Sequence, residues 1–126
     1  AYVMVGSNDL RRSAKFYDAA LAPLGLVRTG DGERYFGYGP KSAPSDAQFF
    51  VTKPFDKNPA TFGNGTMISL AATSPRAVDE FHAAALASGG TDDGKPGPRP
   101  AGGSNYVAYA RDPDGNKVCA YCEKAK

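Results

Sequence analysis

Histidine is nearly missing from this chain. His82 is the only one in 126 residues, and cysteine occurs twice, at Cys119 and Cys122. Three such side chains cannot complete a four-ligand structural zinc site. Two cysteines three residues apart are not the disulfide framework of a small secreted domain. No run approaches the ~18 apolar residues that span a bilayer, and no charged segment followed by an apolar one reads as a leader. The 15 Lys and Arg are scattered among 13 Asp and Glu, for a net charge of +2. Without a basic run, the chain lacks the electrostatic footprint of a nucleic-acid binder. GDGERYFGYGP holds several glycines but no G-x-G-x-x-G that opens a helix, so it offers no nucleotide phosphate cradle. The expectation is a soluble cytoplasmic protein with no nucleic-acid or membrane partner.

What is present is a repeat. Residues 16–21 read FYDAAL and residues 81–86 read FHAAAL, an offset of 81 − 16 = 65. The same offset carries Gly25 to Gly90, and Tyr2, at the start of one apolar run, to Met67, at the start of another. Periodic echoes of this kind mark duplicated structural units. In the first unit AYVMVGS reads as a strand, Asn8 or Asp9 as a helix cap, and Leu10, Ala14, Tyr17 and Leu21 as one helical stripe. Pro23 and Gly25 end that helix, and LVRT, RYFGY and AQFFVT read as three short strands. In the second unit TMISLAA is a strand. Ser74 caps a helix with Pro75 in its first turn, where a missing N–H does no harm. Val78, Phe81, Ala85 and Leu86 form its buried stripe, and Gly89-Gly90 stops it. DDGKPGPRPAGGS reads as a loop able to cover a site or to act as a plain connector. NYVAYA and KVCAYC are strands joined by the turn Asp112-Pro113-Asp114-Gly115-Asn116.

The plan is βαβββ twice, an α+β fold. A chain of this length buries roughly two-thirds of its unfolded surface, so residues 1–126 are expected to form one domain. Module one covers about 1–55 and module two about 65–124. The sheets are expected to make one curved mixed surface with the helices on its outer face, leaving a concave inner face for a ligand.

The duplicated plan, the stretch VGSNDLRRSAKFYDAALAPLGL and the turn RDPDGNKV before the last strand resemble the vicinal oxygen chelate superfamily, which contains glyoxalases, bleomycin-resistance proteins and extradiol dioxygenases. The resemblance implies a cupped sheet with a small-molecule site, a homodimer that completes the sheet across a two-fold axis, and, in catalytic members, a divalent metal held by His, Glu or Gln at four strand positions. Here those positions fall on Tyr2, on Gln48 or Phe50, on Met67 and on Cys119. A phenol, at most one amide, a thioether and a thiol are a poor set for a hard Lewis-acid cation.

The expectation is therefore a small organic ligand in the cup, with no metal or other cofactor. Tyr2, Gln48, Phe50, Met67, Ser69, Cys119 and Tyr121 are the binding candidates. They suit a flat molecule held by aromatic and apolar walls, with Gln48 and Ser69 as polar handles. The alternative is a metal-dependent lyase or dioxygenase with unusual ligands, or a metal-free enzyme using Tyr2, Cys119 or Tyr121. Cys119 and Cys122 lie an odd step apart on a strand, so they point to opposite faces and form no pair. His82 occupies the helical position of Tyr17 and reads as a surface or partly packed residue away from the cup.

Overall fold

The computed structural model describes residues 1–30 and 32–123. Module one runs β1 (Val3–Gly6), α1 (Leu10–Leu21), a 3-10 turn (Ala22–Leu24), β2 (Leu26–Thr29), β3 (Tyr35–Pro40) and β4 (Phe49–Thr52). Module two runs β5 (Met67–Ala71), α2 (Pro75–Ala87), β6 (Thr91–Arg99), β7 (Asn105–Arg111) and β8 (Lys117–Glu123). The fold is α+β, two βαβββ modules each with a four-stranded mixed sheet, in the orders β1-β4-β3-β2 and β5-β8-β7-β6. The repeat extends to the caps. The Asp9 side chain accepts the Arg12 N–H and the Ser74 side chain accepts the Ala77 N–H, and 74 − 9 = 65. Both satisfy an orphan donor of a first helical turn.

The two helices pack against each other. Phe16, Tyr17 and Leu21 of α1 and Val78, Phe81 and Ala85 of α2 belong to one core, together with Val5, Phe36, Tyr38, Phe49 and Val51 of the first sheet and Val118, Ala120 and Cys122 of the second. Each sheet thus turns one face to the shared helical core and the other face to solvent. Within one chain the curved surface is divided in two: no ladder joins the sheets among the described residues, and β1 and β5 each pair on one side only. The helix–helix contact holds the modules in this arrangement.

The second tie between the modules is polar. The turn between β7 and β8 docks onto the start of α1. Tyr17 donates its hydroxyl to Asp112 Oδ2 at 2.6 Å, and Asn116 Nδ2 donates to Asp112 Oδ2 and to the Gly6 carbonyl, both at 2.9 Å. Asp114 accepts from the Asn8 N–H at 3.0 Å, from Arg12 Nη2 at 2.9 Å and from the Ser13 hydroxyl at 3.2 Å. Asp112 and Asn116 are both buried. Burial raises the Asp112 carboxyl, against the lowering effect of the donors from Tyr17 and Asn116, and it pushes the Tyr17 phenol well above its ordinary range, with the Asp112 charge adding to that.

One expectation is corrected. The Gly/Pro-rich segment read as a loop is largely β6. It pairs only with β7, at the edge of its sheet, with irregular steps at Gly94 and Gly97. An edge strand tolerates Pro96 and Pro98 because an outward-facing residue needs no ladder donor. Gly94 lies against the Tyr109 ring, where an added Cβ would come within 2.5 Å of Cδ2.

Tyr17→Phe is expected to lower stability by about 1.5–3 kcal/mol, the range for a hydrogen bond to a charged group, read by urea unfolding at neutral pH. The raised folded pKa of Asp112 means that the folded chain binds more protons than the unfolded one between the ordinary aspartate range and that raised value, so this group's contribution to stability falls as pH rises through that window. Loss of the Tyr17 donor raises the pKa further. The destabilisation measured for Tyr17→Phe therefore shrinks as pH falls and Asp112 is protonated.

Candidate ligand site

Strand alternation sorts the aromatic side chains. Phe36, Tyr38, Phe49 and Val51 point into the core, and Tyr2, Met4, Tyr35 and Phe50 line a cavity of about 290 Å³ on the opposite face of the first sheet. Phe50 sits at its centre. The Tyr2 ring meets it edge-on with centroids 5.2 Å apart, and the Tyr35 ring does so at 6.0 Å. Gly37 is the cross-strand partner of Phe50, and a Cβ there would lie 2.5 Å from the Phe50 ring. The bare backbone at Gly37 is what lets that ring lie over β3. Tyr2 is 63% exposed, and Met4 and Tyr35 are nearly half exposed, so the pocket is an open aromatic surface.

The corresponding face of module two carries Met67 and Ser69 from β5, Lys117, Cys119 and Tyr121 from β8, and Tyr109 and Arg111 from β7. Cys119 is 1% exposed, and its thiol lies 3.2 Å from the Ser69 hydroxyl. Burial raises this thiol, partly offset by the Ser69 hydrogen bond, a backbone contact at Leu70 and the charge of Lys117. Burial thus works against the thiolate character of an activated nucleophile at Cys119. Asp93 bridges Arg111 Nε at 3.1 Å and Lys117 Nζ at 3.3 Å, while Lys117 lies 5.1 Å from the Tyr109 ring centroid. Phe62, from the segment joining the modules, lies 5.5 Å from the Arg111 guanidinium and packs on Gly115.

Register settles the choice between Gln48 and Phe50. Met4 is opposite Phe50 in the parallel β1–β4 pair, and Ser69 is opposite Cys119 in the parallel β5–β8 pair. Since 4 + 65 = 69, Phe50 is the counterpart of Cys119. Gln48 is exposed and lies one residue before β4.

The structure thus brings Tyr2 and Phe50 together, and separately Met67, Ser69, Cys119 and Tyr121, in two half-sites on two sheets. Sequence reading missed Met4, Tyr35 and Lys117. The first two share the period-two face of Tyr2 and Phe50, which is a legible signal. The Lys117–Asp93–Arg111 network depends on β6, which was read as a loop.

Cys122 points away from Cys119 into the core, and both thiols are free. His82 is buried on α2, away from either half-site, with Nε2 2.8 Å from Asp92 Oδ1.

The four strand positions therefore present an exposed phenol, a phenyl ring, a thioether and a buried thiol. A phenyl ring donates nothing, and the rest do not suit a hard divalent cation. Among the described residues, no three His, Cys, Asp or Glu side chains converge as a metal site would require. Among the described residues, no helix is long and apolar enough to cross a membrane.

Comparison with known proteins agrees with the topology. Residues 1–120 match the family model of the Glyoxalase/Bleomycin resistance protein/Dioxygenase superfamily. A glyoxalase/bleomycin resistance protein from Albidiferax ferrireducens T118, known from its crystal structure, is 46% identical, with 97% of each chain covered and a TM-score of 0.85. A lactoylglutathione lyase from Haemophilus influenzae is 31% identical over 126 residues, covering 93% of this chain and 87% of that protein. Glyoxalase I from Zea mays is 25% identical with a TM-score of 0.67, matching 99% of this chain but 44% of the maize chain. The chain belongs to the glyoxalase/bleomycin resistance protein/dioxygenase superfamily.

Proposed function

We propose that this protein binds a small, flat organic molecule in the cup of its sheets, without a hard divalent metal. The observation that carries the reading is the aromatic cavity of Tyr2, Met4, Tyr35 and Phe50. Solvent-exposed rings on a rigid sheet face are an expensive surface unless something covers them, and stacking on a planar ligand does so.

The site is completed by a second copy of the chain. β1 and β5 each expose an unpaired edge, and exposed edge strands invite pairing. A two-fold axis that sets β1 of one copy beside β5 of the other joins the aromatic half-site to the half-site of Met67, Ser69, Cys119 and Tyr121. Such an interface is isologous, so the β1–β5 junction occurs twice per dimer. Gln48, one residue before β4, stands at the rim as a polar handle. The residues of residues 1–126 then act as one domain per copy, with two shared cups.

A second reading, an enzyme, draws on the 31% identical relative named lactoylglutathione lyase. In that reading Tyr2, Cys119 and Tyr121 are the reactive candidates, and a metal would be held by an unusual ligand set.

In a ligand-observed NMR screen of planar aromatic compounds, hits are expected to bind saturably, and Phe50→Ala to weaken them about tenfold, equivalent to about 1.4 kcal/mol. Gly37→Ala is expected to displace the Phe50 ring and weaken binding more than it changes stability. Absence of saturable binding by folded protein rejects the reading.

Light scattering after size exclusion is expected to show a dimer, and Val3→Lys, on the β1 edge, to yield monomers. Elemental analysis of untagged protein prepared without chelator is expected to find well under one metal ion per chain. Near one ion per chain, with turnover lost in Cys119→Ala or Tyr2→Phe, favours the enzyme.

A further inference from the structure

A second cavity, of about 440 Å³, opens beyond the C-terminal ends of β1 and β4. It is lined by Ser7, Asn8, Arg34, Lys53, Lys57 and Asn58, with two prolines. Three cations face one space. None of the three has a carboxylate partner among the described residues, as is also true of Arg11, Lys15, Lys41 and Arg99, but these three line one cavity together. Like charges gathered on a concave wall concentrate positive potential there, which is unfavourable until an anion enters.

The walls are held in place. Arg34 Nη2 donates to the Pro54 carbonyl at 2.7 Å, and the Lys53 N–H donates to the Arg34 carbonyl at 2.8 Å. Asn8 clamps the far side of the loop, with its Oδ1 accepting the Ala60 N–H at 2.7 Å and its Nδ2 donating to the Ala60 carbonyl at 3.2 Å. Lys57 has φ +68°, the only non-glycine among the described residues in the left-handed region. That conformation is strained for a side-chain-bearing residue. The carboxylate next to Lys57 is engaged elsewhere. Asp56 accepts from the Asn58 N–H at 2.9 Å and from Asn58 Nδ2 at 3.1 Å, and it lines an adjoining groove instead of this cavity.

We propose that this cavity is an oxyanion site that takes a phosphate group, either as the free ion or as the head of an organic phosphate. Arg34 supplies a planar fork suited to two oxygens, and the two lysines supply point charges on either side. The adjoining groove includes Met4, Gly6, Thr52, Pro54 and Pro59. It shares Met4 with the aromatic pocket and both prolines with the basic cavity, so the body of an organic phosphate has a path toward the cup. The site itself does not depend on what the cup binds.

The test is titration of the untagged full chain with inorganic phosphate at low ionic strength, by calorimetry. One saturable site per chain is expected. Lys53→Gln and Lys57→Gly should each weaken it about tenfold, the effect of losing one charge-assisted hydrogen bond. Lys57→Gly is the sharper variant, because glycine accepts a positive φ and the fold is kept or improved while the charge is lost. Lys41→Gln, at the opposite end of β3 from Arg34, should leave the affinity unchanged. Acetate at equal ionic strength should compete poorly. The proposal is overturned by a titration that never saturates, by Lys41→Gln weakening binding as much as Lys53→Gln does, or by acetate competing as well as phosphate.

Discussion

A buried carboxylate decides how this molecule is put together. Asp112, in the turn between the last two strands, lies far from α1 in sequence yet accepts the Tyr17 hydroxyl and two groups of Asn116. An ionised carboxylate taken out of water must be met by donors. The Asn116 donors are local to the turn, but the Tyr17 hydroxyl reaches Asp112 only when the turn of module two sits on the helix of module one. Asp114, one step beyond Pro113, adds the Asn8 N–H, Arg12 and the Ser13 hydroxyl. The apolar helix–helix contact supplies the bulk of the burial between the modules, but it tolerates sliding. The turn is directional, and it fixes one docking.

That docking dictates where function can lie. With the helices between them, the two sheets present their cup faces outward and leave β1 and β5 unpaired. Equivalent register positions then carry unlike chemistry. Phe50 and Cys119 correspond by the 65-residue repeat and the strand pairing, and one is an aromatic wall while the other is a buried thiol. Likewise Tyr2 corresponds to Met67. A duplicated scaffold therefore holds two different half-sites, one aromatic and one mixed apolar and basic. Fold membership is shared with lyases and dioxygenases, but chemistry resides in the side chains grafted on the fold, and the proposed reading rests on those side chains.

The segment between the modules has its own part. Phe62 packs on Gly115 of the docking turn and faces Arg111, and Asn8 ties Ala60 to the start of α1. The linker is thus fastened at Ala60 and Phe62 to the joint it spans. Ahead of those fastenings it carries Lys53 and Lys57, which line the basic cavity with Arg34.

Local patterns in the sequence determined the repeat, the two capped helices, most strands, the turn at 112–116 and the faces of Cys119 and Cys122. Each follows from interactions within a few residues: a side-chain oxygen reaching an orphan N–H, a glycine accepting a positive φ, side chains alternating along a strand. The β6 strand escaped because its prolines and glycines are loop signals, and only its place at a sheet edge makes them harmless. Tertiary structure alone decided that Phe50 and not Gln48 faces the pocket with Tyr2, that Asp112 is a joint as well as a turn residue, and that the two halves of the cup lie on separate sheets. These are through-space facts set by how two helices pack, and the period of a strand or helix says which face a residue takes but not what that face will meet.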